Sequence, residues 1–421
     1  MERKVIRKVF IWIVAIAVLM LLPTSLGMQH QSTEKALILG FGVDKNESEY
    51  EVSMQVLIPQ YNQSFAEKVE IVSEKGKTID LALENTRLKI GKELAVAHAN
   101  IIVLNSAVLE DDIMRVLDYF YRDRYLGNYS IVLSTDDKAK EILQATSEMD
   151  SASLNSLDNI VKYNDKNVLG QQTNLHTIAT GYYSPARTCI IPHIDLEKSS
   201  GQDGGSSGGE SGGSSSGGGG GGGSSGGSGG NGEPSEQGST KLKNEGAVVI
   251  IKDGKFQTKL ARKDFRGFSW LMNNSKGYIL ELNNVSDDIY KDATVVVEVV
   301  KSNTKLNYGF SNLNKPIIKV EIGLTYKISS ATQSEYDSEK YADFVLQDTE
   351  ALETAIKTLV ETEIQNALQI AKNEHFDVWN VYDKLHQFHT KKLKKYLAET
   401  EGDYMRDLEI FTTVHTAEAR L

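Results

Sequence analysis

Cysteine is almost absent from this chain of 421 residues, and Cys189 is the single example. One cysteine cannot form an internal disulfide or a cysteine-based metal cluster. A lone cysteine is usually an inert core residue, so we assign it no catalytic role. A net positive charge is also lacking, because 57 acidic residues outnumber 46 Lys and Arg and the net charge is −11. Because phosphate contacts need clustered Lys and Arg, the sequence argues against nucleic acid as a partner.

Motifs that bind nucleotides or cleave substrates are incomplete. The Gly-Phe-Gly-Val-Asp stretch at 40–44 has no third glycine and no helical pattern after it, so we interpret its glycines as part of a twisted strand. Gly76-Lys77-Thr78 imitates the end of a phosphate loop, but Ile71 stands where the first glycine belongs. His98, before an apolar strand, is a candidate buried histidine, and no nucleophile elbow accompanies it. These patterns predict no catalytic residue and no cofactor.

Two histidines are the only candidate metal ligands that the spacing brings together. His386 and His389 lie one turn apart on a predicted helix, but no third ligand is identifiable and two lysines follow them. We predict exposed or capping histidines and no metal site. The acidic pairs Asp111-Asp112 and Asp287-Asp288 are consecutive, which points their side chains apart and predicts solvated surface.

A glycine- and serine-rich segment divides the chain. Residues 199–240 hold 20 of the 35 glycines and no large apolar residue. Such a segment cannot bury enough surface to offset the entropy of ordering it. We predict a disordered Gly/Ser linker at 198–240, which acts as a hinge or spacer between two halves.

The N-terminus combines basic residues with an apolar run from Val9 to Leu22. This layout is that of a secretory signal, because the run is shorter than the roughly 20 residues of a typical span. With Leu26 included, a retained anchor with a cytoplasmic N-terminus is the alternative. We therefore predict a signal-like membrane anchor at 1–27 and export of the rest of the chain.

Residues 36–59 predict a β-hairpin whose second strand places on one face Val52, Met54, Val56 and Ile58. One helix is predicted at 78–93, which contains Ile79, Leu83, Leu88 and Ile90 among charges, and another at 110–122, whose apolar stripe is Ile113, Val116, Leu117 and Phe120.

Strand and helix patterns thus alternate in the first half, which predicts a mixed sheet with packed helices in a domain at 28–197. The second half begins with a hairpin at Asp253-Gly254, whose Gly supplies a tight turn. A long helix is predicted at about 348–373 with Asp348 as its cap, and its buried stripe repeats every four residues at Leu352, Ile356, Val360, Ile364 and Leu368. A second helix near 378–397 and a strand at 408–416 end the chain. We assign a small central domain to 241–302 and a C-terminal α/β domain to 303–421. The fold class is α+β.

A dense aromatic and charged cluster, Asp-Tyr-Phe-Tyr-Arg-Asp-Arg, occupies residues 118–124 at the end of a predicted helix. Its arginines could simply satisfy the terminal carbonyls of the helix. The sharper interpretation is a surface for a protein partner, because such surfaces are rich in aromatic residues and Arg. The candidate contact residues are Tyr119, Phe120, Tyr121, Arg122 and Arg124.

The order of these pieces resembles the Ger(x)C family, the C subunits of nutrient germinant receptors in spore-forming bacteria. The matching pieces occur along nearly the whole chain outside the linker. They are GFGVD with the strand ending QVLIP, SEKGKTID, AHANIIVL, LDYFYRDR, AKEIL, IIP at 190–192, EGAVVIIKDGK, FDVWNVYDKLH and EIFTTVHTAEA. The resemblance implies three mixed α/β domains outside the membrane and no enzymatic activity. It also implies a lipid-modified cysteine at the outer face of the spore inner membrane, and polytopic A and B receptor subunits as partners.

The chain departs from the family pattern at one informative position. Met28 stands where the lipid-bearing cysteine should follow Leu26-Gly27, and it has no thiol to acylate. We therefore predict that the N-terminal apolar segment is itself retained as the anchor. The linker is a second departure and suggests looser coupling between the domains. The predicted function is a non-enzymatic, membrane-anchored receptor subunit; the alternative is an exported binding protein for a solute or cell-wall fragment, acting without A and B subunits.

Overall fold

The computed structural model describes the chain in separate ranges. These are residues 12–13, 35–58, 68–145, 157, 159–160, 173–197, 241–273, 275–283, 285, 293–333 and 349–419. Most of the predicted anchor at 1–27, Met28 and the predicted linker at 198–240 lie outside these ranges, as do Asp287-Asp288 and Asp348. None of the described helices has the length and apolar character that crossing a membrane requires.

The first sheet contains six strands of mixed direction. They are β1 (Lys35–Asn46), β2 (Glu49–Ile58), β3 (Lys68–Gly76), β4 (Glu93–Ala95), β5 (Ile101–Asn105) and β6 (Ile131–Thr135). The order is β3-β2-β1-β5-β6, with β4 also on β1. β2 is antiparallel to β1 and β3, whereas β5 is parallel to β1 and β6. This confirms the predicted mixed sheet, and Val52, Met54 and Val56 share its buried face as the alternation predicted.

Five described helices pack on this sheet. They are α1 (Ile79–Ile90), α2 (Ser106–Leu109), α3 (Met114–Arg122), α4 (Ala139–Gln144) and α5 (Leu175–Tyr183). Thr78 caps α1 by accepting a hydrogen bond from the Leu81 N–H. Leu88, one of the four apolar residues that predicted this helix, is 74% exposed. α3 begins at Met114 rather than Glu110, because Asp112 accepts a hydrogen bond from the Met114 N–H.

The Gly-Phe-Gly-Val-Asp stretch lies in β1 and holds α4 against the sheet. A Cβ on Gly42 would lie 3.1 Å from the Ala139 carbonyl oxygen and 3.0 Å from a Leu143 methyl. Asp44 accepts hydrogen bonds from the N–H groups of Ala139 at 2.8 Å and Lys140 at 3.2 Å. The glycine therefore permits close helix packing and the aspartate caps the helix, so the stretch is structural, as the strand interpretation predicted.

A three-stranded sheet separates two hydrophobic cores. It contains β7 (Thr188–Pro192), β10 (Val248–Lys252) and β11 (Lys255–Leu260) in the order β11-β10-β7. The predicted Asp253-Gly254 turn is confirmed, with φ of 52° and 82°. Val249 and Ile251 on β10 belong to the first core, whereas Val248 and Ile250 belong to the second. One strand thus contributes both of its faces to hydrophobic cores.

The ends of the Gly/Ser-rich segment lie beside each other. β8 (Asp195–Leu196) pairs in antiparallel fashion with β9 (Leu242–Lys243), and the Glu197 N–H donates to the Lys241 carbonyl at 2.8 Å. β7 before the segment also pairs with β10 after it. The predicted hinge between two loosely coupled halves is therefore wrong, because residues on both sides of the segment belong to common sheets and cores.

Replacing residues 198–240 with Asn-Gly should preserve the fold and raise the free energy of unfolding. A two-residue turn suits an antiparallel hairpin closed by Glu197 and Lys241. The shorter loop should add up to about 2–3 kcal/mol, since closing a long loop costs more entropy. Urea denaturation would measure the change, with a scrambled segment of equal length as the control. A less stable variant would mean that the segment itself contributes contacts.

The second core lies between a four-stranded sheet and three helices. The strands are β12 (Ile279–Asn283), β13 (Ala293–Phe310), β14 (Pro316–Gln333) and β15 (Glu409–Glu418), in that order. The helices are α6 (Arg262–Leu271), α7 (Glu350–Asn373) and α8 (Val381–Glu399). Thr349, not Asp348, caps α7 by accepting from the Leu352 N–H at 3.1 Å. The boundary placed between 302 and 303 needs correction, because both residues lie inside β13 and pair with β14.

The apolar stripe predicted for the long helix is confirmed. Its members at four-residue spacing are buried: Leu352, Ile356, Val360, Ile364 and Leu368. α6 crosses this helix closely at Gly267, where an added Cβ would lie 2.3 Å from the Glu363 carbonyl oxygen. The Glu363 side chain is itself buried at this crossing, and it accepts hydrogen bonds from Arg266 and Trp270. A buried ionic contact therefore joins the two helices.

Candidate functional site

The predicted aromatic cluster lies where α3 ends, but its central residue is not at the surface. Phe120 is completely buried, and its ring meets that of Phe41 on β1 edge to face at 5.2 Å. It continues the buried stripe of Val116 and Leu117. Phe120 therefore cannot contact a partner, and its place in the predicted site is corrected to the core.

The two tyrosines of the cluster are half-buried. Tyr119 packs against Phe120 with ring centroids 5.4 Å apart. The Tyr121 hydroxyl accepts a hydrogen bond from the Ala179 N–H at 3.1 Å, which ties α3 to α5. Burial raises the pKa of Tyr121 to about 12, so the hydroxyl stays protonated near neutral pH. Tyr121 consequently has a structural role in positioning a helix.

Exposed arginines and tyrosines continue from the end of α3. Arg122 is exposed and pairs with Asp118 at 2.7 Å, one helical turn away. The Arg124 guanidinium lies 5.7 Å from the centroid of the Tyr125 ring. Tyr125 is 68% exposed and Tyr129 is 78% exposed. We call Arg122, Arg124, Tyr125 and Tyr129 the Arg-Tyr surface; the two tyrosines were missed because they follow the cluster, in the sequence YRDRYLGNY.

A second polar group, missed by the sequence analysis, lies at the junction where the residues after β6 and β7 meet β11. Asp136 follows β6, His193 and Asp195 follow β7, and Lys259 lies on β11. The His193 Nε2 atom is 2.9 Å from Asp195 Oδ2 and 3.6 Å from Asp136 Oδ2. Lys259 Nζ is 2.6 Å from His193 Nε2. We call these four residues the junction cluster; the His-x-Asp spacing at 193 and 195 was the available signal, because alternate residues of an extended chain share a face.

The junction cluster keeps Asp195 ionised. Burial by itself would raise the pKa of Asp195, but the hydrogen bond from the Asp136 N–H and the positive charge of Lys259 lower it well below its ordinary value of 3.8. A carboxyl group whose pKa is lower in the folded state stabilises the fold above its unfolded value. That contribution is lost as the pH falls through the folded pKa.

Lowering the pH should therefore reduce the free energy of unfolding of the wild type more than that of an Asp195→Asn variant. At pH 6 the variant should be the less stable protein, and the gap should shrink below about pH 4, where an unfolded Asp takes up a proton. Urea denaturation at pH 6 and at pH 3 would measure both gaps. A gap of equal size at the two pH values would show that the Asp195 charge contributes nothing.

Comparison with known proteins places these features in one family. Residues 29–196 match the protein family described as "Spore germination protein N-terminal domain". Residues 245–417 match the family described as "Spore germination B3/ GerAC like, C-terminal". Together the two matches span most of the chain. The chain belongs to the Ger(x)C family of spore germination proteins. The resemblance drawn from collinear motifs is thereby confirmed.

Two individual proteins are similar to this chain over most of its length. Spore germination protein KC of Bacillus subtilis (strain 168) is 22% identical over 407 residues, covering 92% of this chain and 90% of the relative. The crystal structure of the GerBC protein is similar over 90% of this chain and 96% of that chain, with a TM-score of 0.46 and 14% sequence identity.

The histidines considered in the sequence analysis lie in three different environments. His386 stacks on Tyr382 with centroids 6.0 Å apart. The His389 Nε2 atom lies 3.0 Å from the Tyr308 carbonyl oxygen, and its φ of −136° interrupts the helix. His98 is exposed, so the buried role considered for it is wrong.

The first acidic pair and the cysteine also have defined surroundings. Asp111 pairs with Lys45 at 2.5 Å, and the Tyr182 hydroxyl donates to Asp112 at 2.9 Å. Both carboxylates of this pair, which was predicted to be solvated surface, therefore contact other side chains of the protein. Cys189 is buried, and burial raises its pKa to about 12. The thiol consequently stays protonated, which agrees with the predicted inert core residue.

Proposed function

We propose that this chain is a non-enzymatic, membrane-anchored subunit of a spore nutrient germinant receptor, and that it supports receptor assembly or signalling during germination. The observation that carries the proposal is the match of both family domains across most of the chain. A relative named spore germination protein KC, which aligns over nine-tenths of both chains, supports the same role. The partners are polytopic A and B receptor subunits.

The proposed location is the outer face of the spore inner membrane, with the folded domains outside the cytoplasm. Basic residues precede the apolar run Val9–Leu22, which supports insertion with the N-terminus inside. Met28 offers no thiol for a lipid, so residues 1–27 serve as the anchor themselves. A protein cleaved after this segment and found free of the membrane would contradict the anchor.

The proposed contact for a partner subunit is the Arg-Tyr surface. Tyr125 and Tyr129 expose most of their rings, and the Arg124 guanidinium lies near one of them. Tyr and Arg are enriched among residues that dominate binding energy, because each combines a large contact area with polar groups. The end of α3 that carries this surface is held in place by two contacts. Phe120 packs on Phe41, and the Tyr121 hydroxyl accepts a hydrogen bond from α5.

A pull-down of the tagged protein from detergent-solubilised inner membranes of dormant spores tests the proposal. Mass spectrometry should identify two polytopic proteins, and their recovery should depend on residues 1–27. The double variant Arg124→Ala/Tyr129→Ala should recover less of them. The matched control is Arg406→Ala/Tyr183→Ala, which also changes exposed residues.

The outcomes separate the receptor subunit from the alternative. Recovery of both partners with the control but not with the test variant supports the proposed contact. Equal recovery with both variants would reject the Arg-Tyr surface while leaving the receptor role in place. Expression only in growing cells, with no membrane partner recovered, would reject the receptor role and favour an exported binding protein.

A further inference from the structure

The junction cluster has the composition and spacing of a small metal site. We propose that Asp136, His193 and Asp195 bind a divalent cation of the zinc type, and that the ammonium group of Lys259 competes with the cation for the same three ligands. One ligand atom from each of the three residues lies within 4.8 Å of the others. An imidazole nitrogen with two carboxylate oxygens is a donor set that Zn²⁺ accepts.

The separations between ligand atoms fit a tetrahedral ion. Bonds of about 2.0–2.2 Å to nitrogen and oxygen place neighbouring tetrahedral ligands about 3.3–3.5 Å apart. His193 Nε2 is 2.9 Å from Asp195 Oδ2 and 3.6 Å from Asp136 Oδ2. These distances lie on either side of the expected value, so small side-chain movements would suffice.

The hydrogen bonds of His193 select the tautomer that a metal ion requires. The Lys259 ammonium group has hydrogen-bond donors only and lies 2.6 Å from His193 Nε2, so Nε2 accepts. The ring proton is then on Nδ1, which donates to Ser134 Oγ at 3.0 Å. The Nε2 atom of the neutral ring then presents its lone pair to the cluster. The His193 side chain is only 2% exposed, which fixes the ring orientation. Metal-binding histidines are commonly held by such a partner on the other ring nitrogen.

The carboxylates are arranged as one fixed and one adjustable ligand. Asp195 Oδ1 accepts hydrogen bonds from the Asp136 N–H at 3.0 Å and from the Thr135 hydroxyl at 3.4 Å, which leaves Oδ2 facing the cluster. The Asp136 side chain is 56% exposed and can adjust its position. The same exposed side gives an ion access from solvent.

Lys259 marks the position where the ligands already accommodate a cation. Its Nζ atom is 2.6 Å from His193 Nε2, 2.9 Å from Asp136 Oδ2 and 3.4 Å from Asp195 Oδ2. A divalent ion at this position would be attracted more strongly but must displace the ammonium group. Because the ligands follow β6 and β7 while Lys259 lies on β11, the exchange would alter the contact between these strands.

Zinc binding to the full-length protein in detergent tests the proposal. The protein would carry a tag without histidine, and ZnCl₂ would compete against a chromogenic chelator. The wild type should bind one ion, and Lys259→Ala should bind it at least about tenfold more tightly because a nearby positive charge is removed. Asp136→Asn should lose the binding, and Ser134→Ala should weaken it about tenfold as a positioning residue.

Matched variants keep the result interpretable. Asp118→Asn and His415→Ala change exposed residues of the same types elsewhere and should leave zinc affinity unchanged. Asp136 is itself exposed, so its variant tests the ligand without disturbing the buried His193. The proposal is wrong if Lys259→Ala binds no more tightly than the wild type, if binding survives Asp136→Asn, or if no variant binds zinc.

Discussion

Glu363→Ala is expected to lower the free energy of unfolding by about 3–5 kcal/mol, because it removes one partner of a buried ion pair. The Glu363 side chain is 8% exposed and that of Arg266 is 18% exposed. The Arg266 Nε atom donates to both carboxylate oxygens at 3.0 Å, and the Trp270 Nε1–H donates at 2.9 Å. Truncation would leave a desolvated guanidinium and an indole N–H without their acceptor.

Urea denaturation monitored by tryptophan fluorescence would measure this loss. Glu361→Ala is the matched control, since Glu361 is an exposed glutamate on the same helix and should change stability little. If the two variants lost similar free energy, the contact between α6 and α7 would depend on packing around Gly267 rather than on the ion pair. Glu363→Gln, which keeps an acceptor but no charge, should lose less than Glu363→Ala.

Phe120→Ala is expected to cost about 3–5 kcal/mol, which is the usual range for truncating a buried aromatic ring. The Phe120 side chain is fully buried against Phe41. The variant would leave a cavity between α3 and the first sheet, and the surrounding helices can collapse into it only in part. Thermal or urea denaturation of the purified protein would measure the change.

Tyr125→Ala provides the comparison for this prediction. Tyr125 is 68% exposed, so its truncation should shift stability by no more than about 0.5 kcal/mol. The proposed function assigns it a binding role, so Tyr125→Ala should instead reduce partner recovery. A Phe120→Ala protein that lost no more free energy of unfolding than Tyr125→Ala would show that the Phe120 ring contributes little to the core.

Local structure was predictable wherever burial follows a regular period. The hairpin of β1 and β2, the buried stripe of α7 and the Asp253-Gly254 turn were all predicted from the spacing of apolar or turn residues. Element ends were less predictable, because caps depend on single hydrogen bonds. α3 begins at Met114, four residues after the predicted start at 110, where the Asp112 side chain accepts from the Met114 N–H. Thr349 rather than Asp348 caps α7.

The candidate site was predictable only in part. The sequence located the cluster at the end of α3 and placed Phe120 on the apolar stripe of that helix, yet Phe120 was also named as a candidate contact. The two predictions exclude each other, and the structure confirms the stripe, since residues four apart share a face. The exposed tyrosines beyond the helix carried no periodic signal.

The sequence by itself determined the strands and helices, the family and the absence of disulfides, because these depend on local periodicity, collinear motifs and residue counts. Only the tertiary structure decided that β7 pairs with β10 across the Gly/Ser-rich segment and that Lys259 meets His193. The physical reason is that apolar spacing specifies which face of an element is buried but not which distant element covers it. Contacts between residues far apart in the chain depend on how those faces are matched in the folded protein.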